Sequence, residues 1–319
     1  MTRISRRSLL AGLAGLPLGA FTISCSGDGP VELPDATDVV RSDGAVVEPA
    51  KVAPPTPTPE PPFIVPAGEE RLKLLEGTPY ASDVYVFGTG QPGAILMAVG
   101  GVHGNEPGGW LAAERVAARI RPSNGALLVL PRANQVAIPL FERTTDALGD
   151  LNRLYPGNPE GLPMERMASA IVDTLKRYHV DIVVDMHESW AFYKDRPQNG
   201  TAFLGQTVAT YPSEPGVSLA RHTVESVNAR ILGPQEEFFF REFPNRALPG
   251  PTSTAPFDTS GNPQAAVSGG SRSSLGLLQW VPGITAILVE MGQQQTLERR
   301  IALHVEVFQQ VMREVGQGA

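Results

Sequence analysis

The stretch GGVHGNEPGG, residues 100–109, places His103 and Glu106 three residues apart inside a glycine-rich turn. Imidazole and carboxylate both bind divalent cations, and a catalytic zinc takes about three such protein ligands with a further position left open. His103 and Glu106 can offer two ligands from one turn. His187, in DMHES at 185–189, can offer the third. Gly100, Gly101 and Gly104 let the backbone turn sharply enough for both side chains to face one ion. The pair alone carries little weight, because His-x-x-Glu is also a common surface or capping pattern.

The elements around these residues give them context. AILMAVGGV (94–102) is a near-continuous apolar run, as expected of a buried strand, and it delivers the chain to His103. DIVVDMHES (181–189) and ITAILVEMG (284–292) repeat the pattern, ending at His187 and Glu290. DVYVFGTG (83–90) and ALLVLPRAN (126–134) also fit strands. Helical periodicity covers 107–121, with Pro107 in the first turn, and then 162–180, 216–232 and 296–315. Strands alternating with helices predict a single α/β domain over 68–319, with a mixed, largely parallel sheet flanked by helices. In such sheets ligands bind beyond the carboxyl ends of the strands, which is where His103, Glu106, His187 and Glu290 fall. Residues 244–273 are rich in Pro, Gly and Ser. They form either a cover over the site or a surface insertion.

Two segments precede that domain. Residues 1–25 carry Arg3, Arg6 and Arg7, then an apolar run over 9–21, the layout of an export signal. The run is short for a membrane span, and Arg6-Arg7 resembles a twin-arginine signal. Cys25, the only cysteine, follows at the position of a lipobox cysteine, so a lipid on Cys25 is the expected link to the membrane. With one cysteine, intramolecular disulfides are excluded. Residues 26–67 end Pro-rich and fit an extended spacer. The net charge of −7 provides no basic footprint for nucleic acid, so none is expected as a partner.

Taken in order, HGNE, GDLNRLYPG (149–157), DMHES and ILVEMG resemble the zinc carboxypeptidase superfamily of the M14 type, in its succinylglutamate desuccinylase/aspartoacylase-like branch. The resemblance covers roughly 84–315. It implies a zinc carboxypeptidase-like fold and one Zn2+ per chain, held by His103, Glu106 and His187. It implies Glu290 as the general base that activates water. Asn152 and Arg153 would hold a substrate carboxylate, since Arg offers a planar bidentate fork. Arg143 is implied as the group that polarises the scissile carbonyl, with Arg132 as a competing position. Asp185 either orients a ligand from behind or bonds to local backbone.

The expected activity is zinc-dependent hydrolysis of an amide in an N-acyl amino acid or small peptide with a free carboxylate. The alternative is an M14-type carboxypeptidase or murein-peptide amidase on the same fold. No tyrosine lies between 212 and 289, where carboxypeptidases carry a mobile one, which argues against strict C-terminal exopeptidase action. One helix follows Glu290, which leaves no place for the C-terminal β-domain of aspartoacylases. A non-catalytic binding lipoprotein is a third reading, disfavoured because ligands and base are all present. The expected location is extracytoplasmic, anchored to the membrane.

Overall fold

A computed structural model describes residues 62–195, 201–230, 233, 236–242 and 272–318. The chain divides into two units, Met1–Thr58 and Pro59–Ala319, and every described residue lies in the second. The export signal, Cys25 and the spacer up to residue 61 lie outside the described residues, as does the 244–273 segment up to residue 271.

Among the described residues eight strands form one sheet. They are β1 (Gly68–Leu74), β2 (Ser82–Gly88), β3 (Ile95–Gly100), β4 (Ala126–Leu130), β5 (Ile182–Ser189), β6 (Thr207–Thr210), β7 (Phe239–Glu242) and β8 (Thr285–Gly292). Their spatial order is β1-β2-β4-β3-β5-β8-β6-β7. The centre, β4-β3-β5-β8, is parallel throughout, and β6 pairs β7 in parallel. The other three pairings are antiparallel, so the sheet is mixed with a parallel middle, as expected from the alternation of elements. The helices are α1 (Pro107–Arg119), α2 (Ala137–Leu140), α3 (Pro163–Arg177), α4 (Gly216–Asn228) and α5 (Leu297–Glu314).

Every residue of β3 and β4 is buried, because helices cover both faces. Met97, Val99 and Leu128 pack toward Met164, Met167 and Ile171 of α3. Leu96, Ala98 and Val184 pack with Val116 of α1, Val224 of α4 and Val307 of α5. The starts of α1, α3 and α5 are set by local chemistry. Pro107 and Pro163 occupy first positions, where no N–H is needed. Glu165 accepts the Leu162 N–H at 2.8 Å, and the Thr296 side chain accepts the Arg299 N–H.

Three strands are absent from the sequence reading. β1 carries GEERLKL, five of whose residues are exposed, so the apolar alternation is weak. It forms by pairing with β2 at the sheet edge. β6 and β7 are four residues each, too short to show a period, and exist because β8 offers β6 a free edge.

Candidate active site

The parallel centre of the sheet points its strand ends at one cavity of about 360 Å³. β3 ends at Gly100, and Gly101 takes φ +69, the left-handed turn that sends His103 back across the strand end. Gly104 lies against the Ala137 backbone, where a side chain would collide, so α2 packs directly on this turn. Among the three glycines Gly101 supplies a positive φ, while Gly100 and Gly104 admit the close approach of Gly109 and Ala137. Glu106 sits at the N-cap of α1, and His187 is the sixth residue of β5, paired in register with Glu290 of β8.

His103, Glu106 and His187 converge as a buried cluster whose ligand atoms all lie within 4.8 Å of one another. The two Nδ1 atoms approach to 3.1 Å. Glu106 reaches both, with Oε1 at 2.7 Å from His103 Nδ1 and Oε2 at 2.9 Å from His187 Nδ1. The outer face of each ring meets a carboxylate. His103 Nε2 lies 3.1 Å from Asp150 Oδ1, and His187 Nε2 lies 2.9 Å from Asp185 Oδ2. Carboxylates there fix the proton on Nε2 and leave both Nδ1 lone pairs facing each other and Glu106. Acceptors so arranged need a positive charge between them. Burial would lower the pKa of His187, yet Asp185 and Glu106 raise it well above the ordinary imidazole range. Burial would raise Glu106, but His103 and His187 hold its carboxyl well below the usual range. Tetrahedral zinc spaces neighbouring ligand atoms roughly 3.3 Å apart, so this donor set fits a divalent cation in chemistry and in spacing.

The other expected residues surround the cluster. Arg143 donates to Glu106 Oε1 at 3.2 Å and approaches Asp150 Oδ2 at 3.5 Å, and is partly exposed to the cavity. Arg132 faces elsewhere, its guanidinium 4.7 Å from the Trp110 ring centre and paired with Glu114. Asn152 and Arg153 line the cavity on a single helical turn, Leu151–Arg153, and Arg153 donates to the Asn152 carbonyl at 2.7 Å. The Asn152 side-chain oxygen accepts the Ser274 N–H at 2.9 Å, which ties this turn to the residues before β8. Glu290 lines the same cavity. Burial pushes its carboxyl up to about 7. His187 opposes that rise and Glu106 adds to it.

Glu188 turns away from the cluster. Its carboxylate meets Arg300 at 2.6 Å on the α5 face, while its backbone N–H donates to Glu106 Oε2 at 3.0 Å. Of the remaining histidines, His304 is buried in α5, and burial together with the charge of His187 brings its pKa down to about 3. His179 stacks on Phe63.

Two residues at the site carry no signal in the reading of the sequence. Asp150 stands in the DLNR motif, but its partner His103 lies 47 residues earlier, and only the fold joins them. Gln293, in the turn after β8, donates from Nε2 to the Asn105 carbonyl at 2.9 Å and so links the Glu290 strand to the HGNE turn.

Comparison with known proteins places this arrangement. Residues 92–193 match the family model of the succinylglutamate desuccinylase/aspartoacylase catalytic domain. N-alpha-acetyl-L-2,4-diaminobutyric acid deacetylase of Halomonas elongata is 32% identical over 98 residues, covering 30% of this chain and 28% of that protein. Among solved structures, the mDAP-bound form of Helicobacter pylori Csd4, a D,L-carboxypeptidase, is 19% identical with a TM-score of 0.54, over 70% of this chain and 51% of Csd4. The product-bound ectoine utilization protein EutE (DoeB) from Ruegeria pomeroyi is 19% identical with a TM-score of 0.53, over 82% of this chain and 70% of that one. The chain thus spans about a quarter of the curated relative and half of Csd4. The resemblance to the succinylglutamate desuccinylase/aspartoacylase-like branch and the expected zinc carboxypeptidase-like fold are both borne out.

Proposed function

We propose that the chain is a zinc-dependent amide hydrolase acting on an N-acyl amino acid or small peptide that carries a free carboxylate. One observation carries the reading. His103, Glu106 and His187 present three donor atoms to a common point, each ring is braced by a carboxylate, and Glu290 and Arg143 face the same cavity. His103, Glu106 and His187 would hold one Zn2+ per chain. When bound, the ion supplies Lewis acidity to a carbonyl and acidifies water.

The chain's own groups perform the rest. Glu290 accepts a proton from the attacking water and returns it to the leaving amine, so that the amine departs neutral. Its elevated pKa, about 7, suits a group that must both take and release a proton near neutral pH. Arg143 donates to the oxyanion that develops on the scissile carbonyl. Asn152 and Arg153 bind the substrate carboxylate and set the orientation of the amide. Asp150 and Asp185 keep the imidazoles in the tautomer that presents Nδ1. The similarity to a curated deacetylase and to the deacylase family model supports this chemistry.

The test combines composition with kinetics. Protein purified without chelator should contain about one zinc per chain by elemental analysis. Glu290→Gln should retain the metal and lose at least about a hundredfold in kcat on the true substrate. Metal-free preparations, or a Glu290→Gln variant as fast as the parent, would sink the reading.

We also infer export and membrane attachment. Arg6-Arg7, the apolar run over 9–21 and Cys25 support a twin-arginine signal followed by a lipid-bearing cysteine. The enzyme would then work outside the cytoplasm.

A further inference from the structure

The cavity lining changes character from one chain segment to the next. Arg143, Asn152 and Arg153 come from the segment after β4, and they line one flank. The metal-binding cluster and Glu290 follow at the ends of β3, β5 and β8. A second flank is made by Trp190, Ala202 and Leu204 from the segment between β5 and β6, with Ser189 at the end of β5 and Leu288 of β8 beside them. Both arginines of the lining come from the segment after β4, and among the described lining residues between β5 and β6 none is charged.

Trp190 stands out on this flank. The residue is 65% exposed although it lies directly after the fully buried β5. The wall that carries it is well tied down. The Ala191 N–H donates to the Ala202 carbonyl, and the Gly205 N–H to the Ala191 carbonyl, each at 2.9 Å. The Leu204 N–H donates to Ser189 Oγ, also at 2.9 Å. Phe192 fills the space beside Gly292, where a side chain on the glycine would collide with its ring. A large apolar ring carried at the cavity by a wall tied down in this way keeps hydrocarbon surface wet, a cost that contact with an apolar ligand group removes.

We propose that Trp190 determines specificity by receiving, with Leu204 and Leu288, a hydrocarbon group of the substrate on the side of the scissile amide opposite the bound carboxylate. This rests on the reading of the site as an amide hydrolase. The preferred substrate is therefore bifunctional: a carboxylate at the Arg143–Arg153 flank, and an alkyl group larger than methyl against the indole. Aliphatic neighbours select hydrocarbon over a sugar ring, which would require hydrogen-bonding groups around the aromatic platform.

Two substrate series separate the possible orientations. N-acyl glycines from acetyl to octanoyl keep the carboxylate on the amine fragment. N-succinyl alkylamines from methyl to octyl keep it on the acyl fragment. With zinc-loaded full-length protein, kcat/KM should rise about fourfold per added methylene over the first few members of one series. Trp190→Ala should flatten that rise, so that its loss on the longest member exceeds its loss on the shortest by at least tenfold, and Trp190→Phe should restore most of it. Binding to Glu290→Gln, followed by tryptophan fluorescence, should show the same length dependence. Equal length dependence in parent and Trp190→Ala, or none in the parent by either readout, would overturn the inference. Length-dependent, Trp190-dependent binding with no hydrolysis of either series would instead retire the hydrolase reading and leave the apolar subsite standing.

Discussion

Asp150 and Asp185 perform the same operation on two histidines, from very different distances in the chain. Each places a carboxylate oxygen within 3.1 Å of an Nε2 atom and so turns the matching Nδ1 toward the centre. Burial opposes ionisation of Asp150, but its hydrogen bond to His103 and the charges of Arg143 and Arg153 keep its carboxyl well below the usual range. It is therefore an anion near neutral pH. Asp150→Asn and Asp185→Asn should each weaken zinc binding about 10- to 100-fold, because an amide holds the tautomer less firmly. Competition against a chromogenic chelator measures this, and affinities within twofold of the parent would remove both residues from the metal's support. Asp185 was partly legible in the sequence, since residues two apart on a strand share a face and His187 is its neighbour but one. Asp150 was not, because nothing local in DLNR announces a histidine in another turn.

At the scale of elements, β5 works on both its faces. Asp185 and His187 face the buried His103–Glu106 cluster, while Glu188 looks between α1 and α5 and pairs with Arg300. The Glu188 backbone N–H holds Glu106, so the seating of β5 against α5 bears on a proposed metal ligand that the Glu188 side chain never touches. The Glu188 side chain is fully buried, and burial raises its carboxyl above the ordinary range even though Arg300 pulls it down. Arg300→Met removes the partner and leaves a buried carboxylate, which should cost about 3 kcal/mol of stability near neutral pH. The folded state then binds a proton at Glu188 more readily than the unfolded state. Stability contributed by that proton is present at low pH and lost as pH rises through the raised pKa. Denaturant unfolding should accordingly show the deficit of Arg300→Met shrinking from about pH 7.5 to about pH 5.5, and a deficit that grows on acidification contradicts this account. The long, doubly buried strands of the centre were readable from composition because both faces need apolar residues. β1, β6 and β7 were not: their identity comes from the edge they pair with, which no window of four to seven residues contains.

At the scale of the whole molecule, the site draws on residues from His103 to Gln293, so no fragment of the sheet holds it alone. That distribution bears on when the metal enters. The donors, from the turn between β3 and α1 and from β5, meet only once the parallel centre has formed, and metal bound there would stabilise the folded chain. A route that carries folded protein across the membrane suits such a site, because the ion can load in the cytoplasm before export. Arg6-Arg7 followed by the apolar run over 9–21 is the sequence basis for that route. Changing both arginines to lysine keeps the charge of the segment and should trap a metal-loaded precursor in the cytoplasm, as read by cell fractionation and elemental analysis. Cys25→Ser should still be exported but should leave the membrane fraction, since one thiol is the sole attachment point for a lipid there. Export of the lysine pair at the parental rate would refute the twin-arginine route, and a Cys25→Ser protein still bound to membranes would refute the anchor. The two outcomes are independent, so the address of the enzyme and its tether can each fail without the other.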